Sequence, residues 1–275
     1  MTETCRCCPH ACVLSEGEEG FCRARANADG HIVSRSYGRI TSLSLDPIEK
    51  KPLRRFHPGS LILSLGSFGC NMRCPFCQNA SISQVSERQA GTAEITPDEL
   101  ARKAEELKSR GNIGLAYTYN EPLTMWEFVR DCAVRIRKKG MQNVMVSNGQ
   151  AADAVLDEIL PLTDAWNIDL KTFDPLRYRK WGGDLETVKN TIRRASGTGH
   201  VEVTTLIVPG ENDTPEEIDR ISSWLAETDP DIPLHLSRFF PRYRMTDRDA
   251  TDIGLIYMLA ERAGKNLHFV YTGNC

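Results

Sequence analysis

Several features are missing from this 275-residue chain, and each absence narrows the reading. No apolar run approaches the roughly 20 residues that a membrane-spanning helix needs. The start, MTETCRCCPH, has neither the charged head nor the apolar stretch of a secretory signal. No Lys/Arg run interleaved with aromatics occurs, and a formal net charge of -3 offers no field for a phosphate backbone. No internal repeat or low-complexity segment is evident. Membrane and nucleic acid are therefore not expected partners, and the expected compartment is the cytoplasm.

What the chain does have is cysteine. In a reducing compartment ten cysteines are poor disulfide candidates and better metal ligands or redox groups. Five lie before residue 23, three stand in GCNMRCPFCQN (Gly69 to Asn79), and Cys132 and Cys275 stand apart. The middle group lacks a fourth thiol. Cys70, Cys74 and Cys77 can hold three irons of a 4Fe-4S cube and leave the fourth open to an exogenous ligand. The alternatives for the same residues are a zinc site completed by a distant side chain, or an ordinary turn.

From residue 61 onward, short apolar runs alternate with helix patterns. LILSL (61–65), IGLAYT (113–118), NVMVS (143–147), AWNIDL (165–170), VEVTTLIV (201–208), LHLSR (234–238) and LHFVY (267–271) are nearly continuous in apolar character, as strands buried on both faces should be. Thr96 with Glu99 and Thr214 with Glu217 read as capping boxes with proline at the first helical position, and Thr124 with Glu127 repeats the box. Gly111, Gly140 and Gly264 stand where helices should end. The expected class is α/β, a partial (β/α)6 TIM-type barrel over 61–275. Residues 1–60, with the early cysteines, a hairpin around HIVSRSYGRITSLSL and the polar DPIEKKP, read as a small cysteine-rich N-terminal module. The three-cysteine loop follows the first barrel strand, so it falls at the carboxyl face where barrel active sites are built.

On these residues the chain resembles the radical S-adenosylmethionine (SAM) superfamily. Within it the chain is similar to the activating enzyme of pyruvate formate-lyase, and more closely to the AmmeMemoRadiSam family. The resemblance runs through CPHACVL, GFCRAR, DPIEKKPL, GCNMRCPFCQN, YTYNEP, NIDLK, EVTTLIVPGEND, PLHLSRFFP and YTGN. It implies a 4Fe-4S cluster on Cys70, Cys74 and Cys77, SAM chelated to the open iron, and reductive cleavage to a 5'-deoxyadenosyl radical that abstracts a hydrogen atom. A glycine of a partner glycyl-radical enzyme is the substrate the activating enzymes imply, with another peptide or a small molecule as the alternative. A low-potential ferredoxin or flavodoxin is the implied reductant. From another class, a non-catalytic iron-sulfur electron-transfer or metal-binding protein would carry the same loop.

The resemblance also implies cofactor contacts by Asn79, Asn120, Glu121, Asn148, Asp169 and Lys171. Glu121 would accept from the SAM ammonium, and Lys171 would pair with its carboxylate. Gln78 and Phe240 depart from the residues common at their places. His235 and Arg238 share a strand, and alternation puts them on opposite faces; His235 is the one expected at the cofactor. Cys5, Cys8, Cys12 and Cys22, with Cys7 extra, match a four-cysteine pattern and can hold zinc or a second iron-sulfur cluster. Cys275, after the last strand, is a candidate ligand or hydrogen donor near the active face. Cys132 reads as a small buried apolar residue.

Overall fold

The computed structural model describes residues 1–275. Eight strands form one sheet in strictly sequential order: β1 (Ser42–Pro47), β2 (Leu61–Gly66), β3 (Asn112–Tyr117), β4 (Gln142–Ser147), β5 (Ala165–Asp169), β6 (His200–Ile207), β7 (Leu234–Arg238) and β8 (Val270–Gly273). All neighbours are parallel except β1, which runs antiparallel along β2 with Ser42 opposite Gly66 and Pro47 opposite Leu61. The crossovers carry helices α1 (Pro97–Glu106), α2 (Trp126–Lys138), α3 (Asp153–Ile159), α4 (Leu185–Ser196), α5 (Pro215–Thr228) and α6 (Ile253–Ala263). Six strand-helix units and a closing strand make the partial barrel that the sequence pattern implies.

Helical spacing explains which face of each helix is covered. In α4, Leu185, Val188, Thr191, Ile192 and Ala195 are buried, one stripe at three- and four-residue steps. Leu63, Leu115, Met145, Trp166, Val203 and Leu236 meet such stripes from the outer face of the sheet. Each fully buried Leu or Ile there contributes about 1.5–3 kcal/mol.

The floor of the barrel is where the sequence reading falls short. DPIEKKP belongs to the barrel itself rather than to a module packed on it: Ile48 and Leu53 are fully buried against Ile62, Ala116, Val144 and Ala165 on the inner face. The segment plugs the barrel, and the Pro52 carbonyl accepts from Asn167 Nδ2 at 2.9 Å. Since Ser42–Pro47 is also a strand of the sheet, the boundary expected at residue 60 cuts through the barrel. The hairpin lies earlier than expected as well, pairing Arg25–Ala28 with His31–Ser34. Asp29 and Gly30 both have positive φ, as a two-residue turn of that twist requires.

Other departures have local causes. Thr96 and Glu99 form the full capping box. At α5 Thr214 caps the Glu217 amide, but the Glu217 carboxylate instead accepts from Thr172 Oγ1 and Phe173 N. No box forms at Thr124, because a 3-10 turn over Pro122–Met125 precedes α2 and Glu127 pairs with Arg25 at 2.6 Å. Gly140 takes the left-handed conformation expected after a helix, whereas Gly264 is right-handed. The last strand begins at Val270 rather than 267, since the Leu267 and His268 amides bond to Ala263 and Pro230 carbonyls instead of a ladder.

Inside the floor, Glu202 of β6 is fully buried and accepts from the Arg54 and Arg55 amides at 3.0 and 2.8 Å. His235 Nε2 lies 2.5 Å from one of its oxygens and His200 Nε2 2.9 Å from the other. Burial works to raise this carboxyl, but the four hydrogen bonds outweigh it and hold it down to about 2, from an ordinary 4.5. A depressed carboxyl adds stability that is complete above about pH 4.5 and is lost as pH falls toward 2. Glu202→Gln is expected to lower stability by about 2 kcal/mol at pH 7 and to flatten that acid limb. Urea unfolding at a series of pH values checks this; a parent and a variant with parallel acid limbs would refute it.

Candidate active site

Gly69 to Asn79 leaves the carboxyl end of β2 and is held on every side. The Asn120 carboxamide sits against its root: Oδ1 accepts from Ser67 N at 2.9 Å, and Nδ2 donates to the Phe68 and Gly69 carbonyls, both at 3.1 Å. Gly69 has φ of 81°, and a Cβ at this position would lie 2.5 Å from the Cys22 carbonyl oxygen. Asn71 Nδ2 donates to the Gln150 carbonyl at 2.7 Å, and Asn71 Oδ1 accepts from Asn148 Nδ2 at 2.9 Å. Between the cysteines, Met72 and Phe76 are buried, Phe76 edge-on to Trp181 at 5.0 Å. Asn79 ties the far end of the loop to the Tyr119 carbonyl at 2.7 Å.

Cys74 is buried in the core and Cys70 and Cys77 pack against it, and the sulfurs of Cys70 and Cys77 also meet polar groups. Cys70 Sγ accepts from the Met72 amide at 3.4 Å and from Asn148 Nδ2 at 3.6 Å, and Cys77 Sγ lies 3.1 Å from Ser83 Oγ. Donors aimed at sulfur favour a thiolate. Burial pushes Cys70 well up, with Glu121 adding to it, and pushes Cys74 up to about 11 against the pull of Lys171. These thiols are therefore protonated unless a metal displaces the proton.

Two charged groups face the loop. Glu121 is buried and accepts from Ser147 Oγ at 2.8 Å, Asn148 N at 2.8 Å and Leu123 N at 3.0 Å. Burial nevertheless raises its carboxyl to about 7. Three of about four acceptor positions are used, which leaves one for a ligand's N–H. Lys171 Nζ donates to Asp169 at 2.8 Å and has two N–H groups more. Burial opposes its charge, but Asp169 and the Cys74 sulfur outweigh that and hold its pKa above the ordinary lysine value.

The backbone under Lys171 is pinned with equal care. Its amide donates to Tyr178 Oη at 2.9 Å, and its carbonyl accepts from Asn212 Nδ2 at 2.7 Å. Asn71, Gln150, Tyr178 and Asn212 were not singled out from sequence. Asn71 was the most accessible of them, a carboxamide between two cysteines of the motif.

The structure thus gathers Cys70, Cys74, Cys77, Glu121, Asn148, Asp169 and Lys171 at one end of the barrel. It does not bring His235 there, since that imidazole is bound to Glu202 in the floor. Arg238, on the same strand, donates to the Thr251 carbonyl at 2.7 Å. Cys275 is exposed beyond β8, at the opposite edge of the parallel strands from β2, and its thiol meets only the Gly273 carbonyl. Asn120 and Asn79 grip the loop with the side chains that the resemblance assigned to the cofactor. Cys132 is fully buried in α2, as expected.

Comparison with known proteins bears directly on this loop. Residues 65–225 match the Radical SAM superfamily. The chain belongs to that superfamily. A Methanocaldococcus jannaschii protein, described only as uncharacterized protein MJ0808, is 40% identical over 98% of this chain and 80% of its own length. The Escherichia coli pyruvate formate-lyase 1-activating enzyme is 26% identical over 57% of this chain and 65% of its own length. Streptococcus suis SuiB bound to S-adenosylmethionine shares the fold, with a TM-score of 0.60 at 14% identity over 78% of this chain and 52% of that one. As a radical SAM enzyme the protein is expected to carry a 4Fe-4S cluster and SAM, and the donor set fits: three cysteines, of which Cys70 has two N–H groups at its sulfur, beside the buried Glu121 carboxyl and the partly buried Lys171 ammonium.

The grip on the loop can be tested apart from activity. Gly69→Ala should lose most of its cluster iron while keeping its far-ultraviolet circular dichroism, because the Cβ displaces the loop root from Cys22. Asn120→Ala leaves three backbone groups without partners, at about 1–3 kcal/mol each where no water replaces them, and should lose iron faster on dilution. Iron per chain that equals the parent in both variants would refute this.

Proposed function

We propose that Cys70, Cys74 and Cys77 bind the cluster, that Glu121 and Lys171 hold the two charged ends of SAM, and that the hydrogen atom is taken from a glycine of a partner protein. The observation that carries the reading is the pairing of Glu121 and Lys171 around the three-cysteine loop: one has a free acceptor position, the other free donors. A 4Fe-4S cluster held there would, once reduced by an external donor, supply the one electron needed for reductive cleavage of SAM.

The chain's own residues do the rest. Glu121 receives the ligand ammonium, and that cation draws its carboxyl back toward the ionised form. Lys171 directs its remaining N–H groups to the ligand carboxylate, while Asp169 fixes the ammonium in place. Asn148 bonds Cys70 and Asn71 at once, so loop and pocket keep one spacing. The protein's work is positioning and exclusion of water, as in other cofactor enzymes.

Two things support a polypeptide substrate. The E. coli relative acts on pyruvate formate-lyase, as its name states. Beside the cluster loop, where Arg244 N donates to the Pro75 carbonyl at 3.0 Å, Phe240 and Tyr243 are exposed among arginines. A low-potential ferredoxin or flavodoxin is the proposed electron donor.

Reduced, reconstituted protein should release 5'-deoxyadenosine from SAM, and the Cys70→Ala/Cys74→Ala/Cys77→Ala variant should not. Glu121→Gln and Lys171→Met should each weaken SAM binding about tenfold or more, ~1.4 kcal/mol. Deuterium passing from a glycine-deuterated partner protein into 5'-deoxyadenosine would support the substrate, and transfer only from a small molecule would replace it. A full, reducible cluster that binds no SAM would move the non-catalytic electron-transfer reading ahead.

A further inference from the structure

The early cysteines form a second centre, separate from the cluster loop. Cys5, Cys7, Cys8, Cys12 and Cys22 line one cavity together with Arg25.

Arg25 adds an independent sign. It is only 5% exposed, and its guanidinium bonds Glu127 and the Thr124 carbonyl, yet Nε has no partner. A buried, unpartnered cationic N–H at the wall of a cavity calls for negative charge inside it.

We propose that Cys5, Cys8, Cys12 and Cys22 bind a single tetrahedral metal ion, zinc by the preference of four thiolates, and that this ion fastens the N-terminal segment against the catalytic loop. Cys7 is not a ligand, because its thiol donates to the Leu123 carbonyl at 3.2 Å. The free space between these side chains is about 10 Å³, that of one water-sized sphere, so a single ion needs less rearrangement than a cube of four irons. As the side chains stand no three His, Cys, Asp or Glu groups meet at one point, so the proposal requires the thiols to close on the ion as it binds.

The fastening has a direct route to the catalytic loop. The Cys22 carbonyl accepts from Cys70 N at 3.1 Å and abuts Gly69, while His10 Nε2 lies 2.9 Å from the Asn71 carbonyl. The site does not depend on the SAM reading, and the test separates the two.

Metal analysis of the purified parent should give one zinc per chain in addition to cluster iron. Zinc should persist in Cys7→Ser and in the Cys70→Ala/Cys74→Ala/Cys77→Ala variant, and should fall at least tenfold in Cys12→Ser and Cys22→Ser. Grown with cobalt, the cluster-free variant should show thiolate charge-transfer bands and the visible bands of tetrahedral cobalt. These decide the matter even where a cysteine variant does not fold. Parent protein without zinc or cobalt, eight irons per chain after reconstitution, or zinc retained in Cys12→Ser and Cys22→Ser would each overturn the proposal.

Discussion

The constraint on which the site depends is the satisfaction of backbone polar groups where β2 ends. A strand that stops at the carboxyl face leaves amides and carbonyls that must find partners before any ligand can be placed. Here Asn120 supplies three bonds to residues 67–69, and Asn71 and Asn148 extend the same support to the first cysteine. The root of the loop therefore has its hydrogen-bond partners before a cofactor arrives. Carboxamides suit this task because one planar group both donates and accepts without adding charge beside the thiols.

Charge is then added sparingly and at opposite ends. Glu121 is buried and Lys171 largely withdrawn from solvent, and desolvation alone would push each toward its neutral form. Glu121 is balanced near neutrality by three donors, and Lys171 is kept charged by Asp169. A ligand that carries both an ammonium and a carboxylate relieves both burials together, whereas a ligand of one sign relieves one. That favours an amino acid moiety in this pocket over a simple anion or cation.

The barrel was legible in the sequence because strands buried on both faces read as continuous apolar runs, and because Thr96 and Thr214 mark helix starts by their own local chemistry. The three-cysteine loop was legible by spacing. Glu217 and Glu127 were misread, since a capping-box pattern cannot show that a carboxylate has a better partner far along the chain, at Thr172 or Arg25. The plug was missed for a related reason: Ile48, Lys51 and Leu53 sit in a polar-looking stretch, and only the closed barrel reveals that all three are buried. His235 looked like a cofactor contact because a strand sequence does not say which end of the sheet a residue occupies relative to its partners. Its second position on β7 puts it in the floor with Glu202.

The central claim is that three cysteines leave one iron open to the amino acid end of SAM, held between Glu121 and Lys171. The most direct measurement is the electron paramagnetic resonance spectrum of the reduced cluster with and without SAM. The account predicts a reduced 4Fe-4S signal whose g values shift when SAM is added, with the shift much diminished in Glu121→Gln and Lys171→Met. A reduced cluster whose spectrum is unchanged by saturating SAM would contradict it.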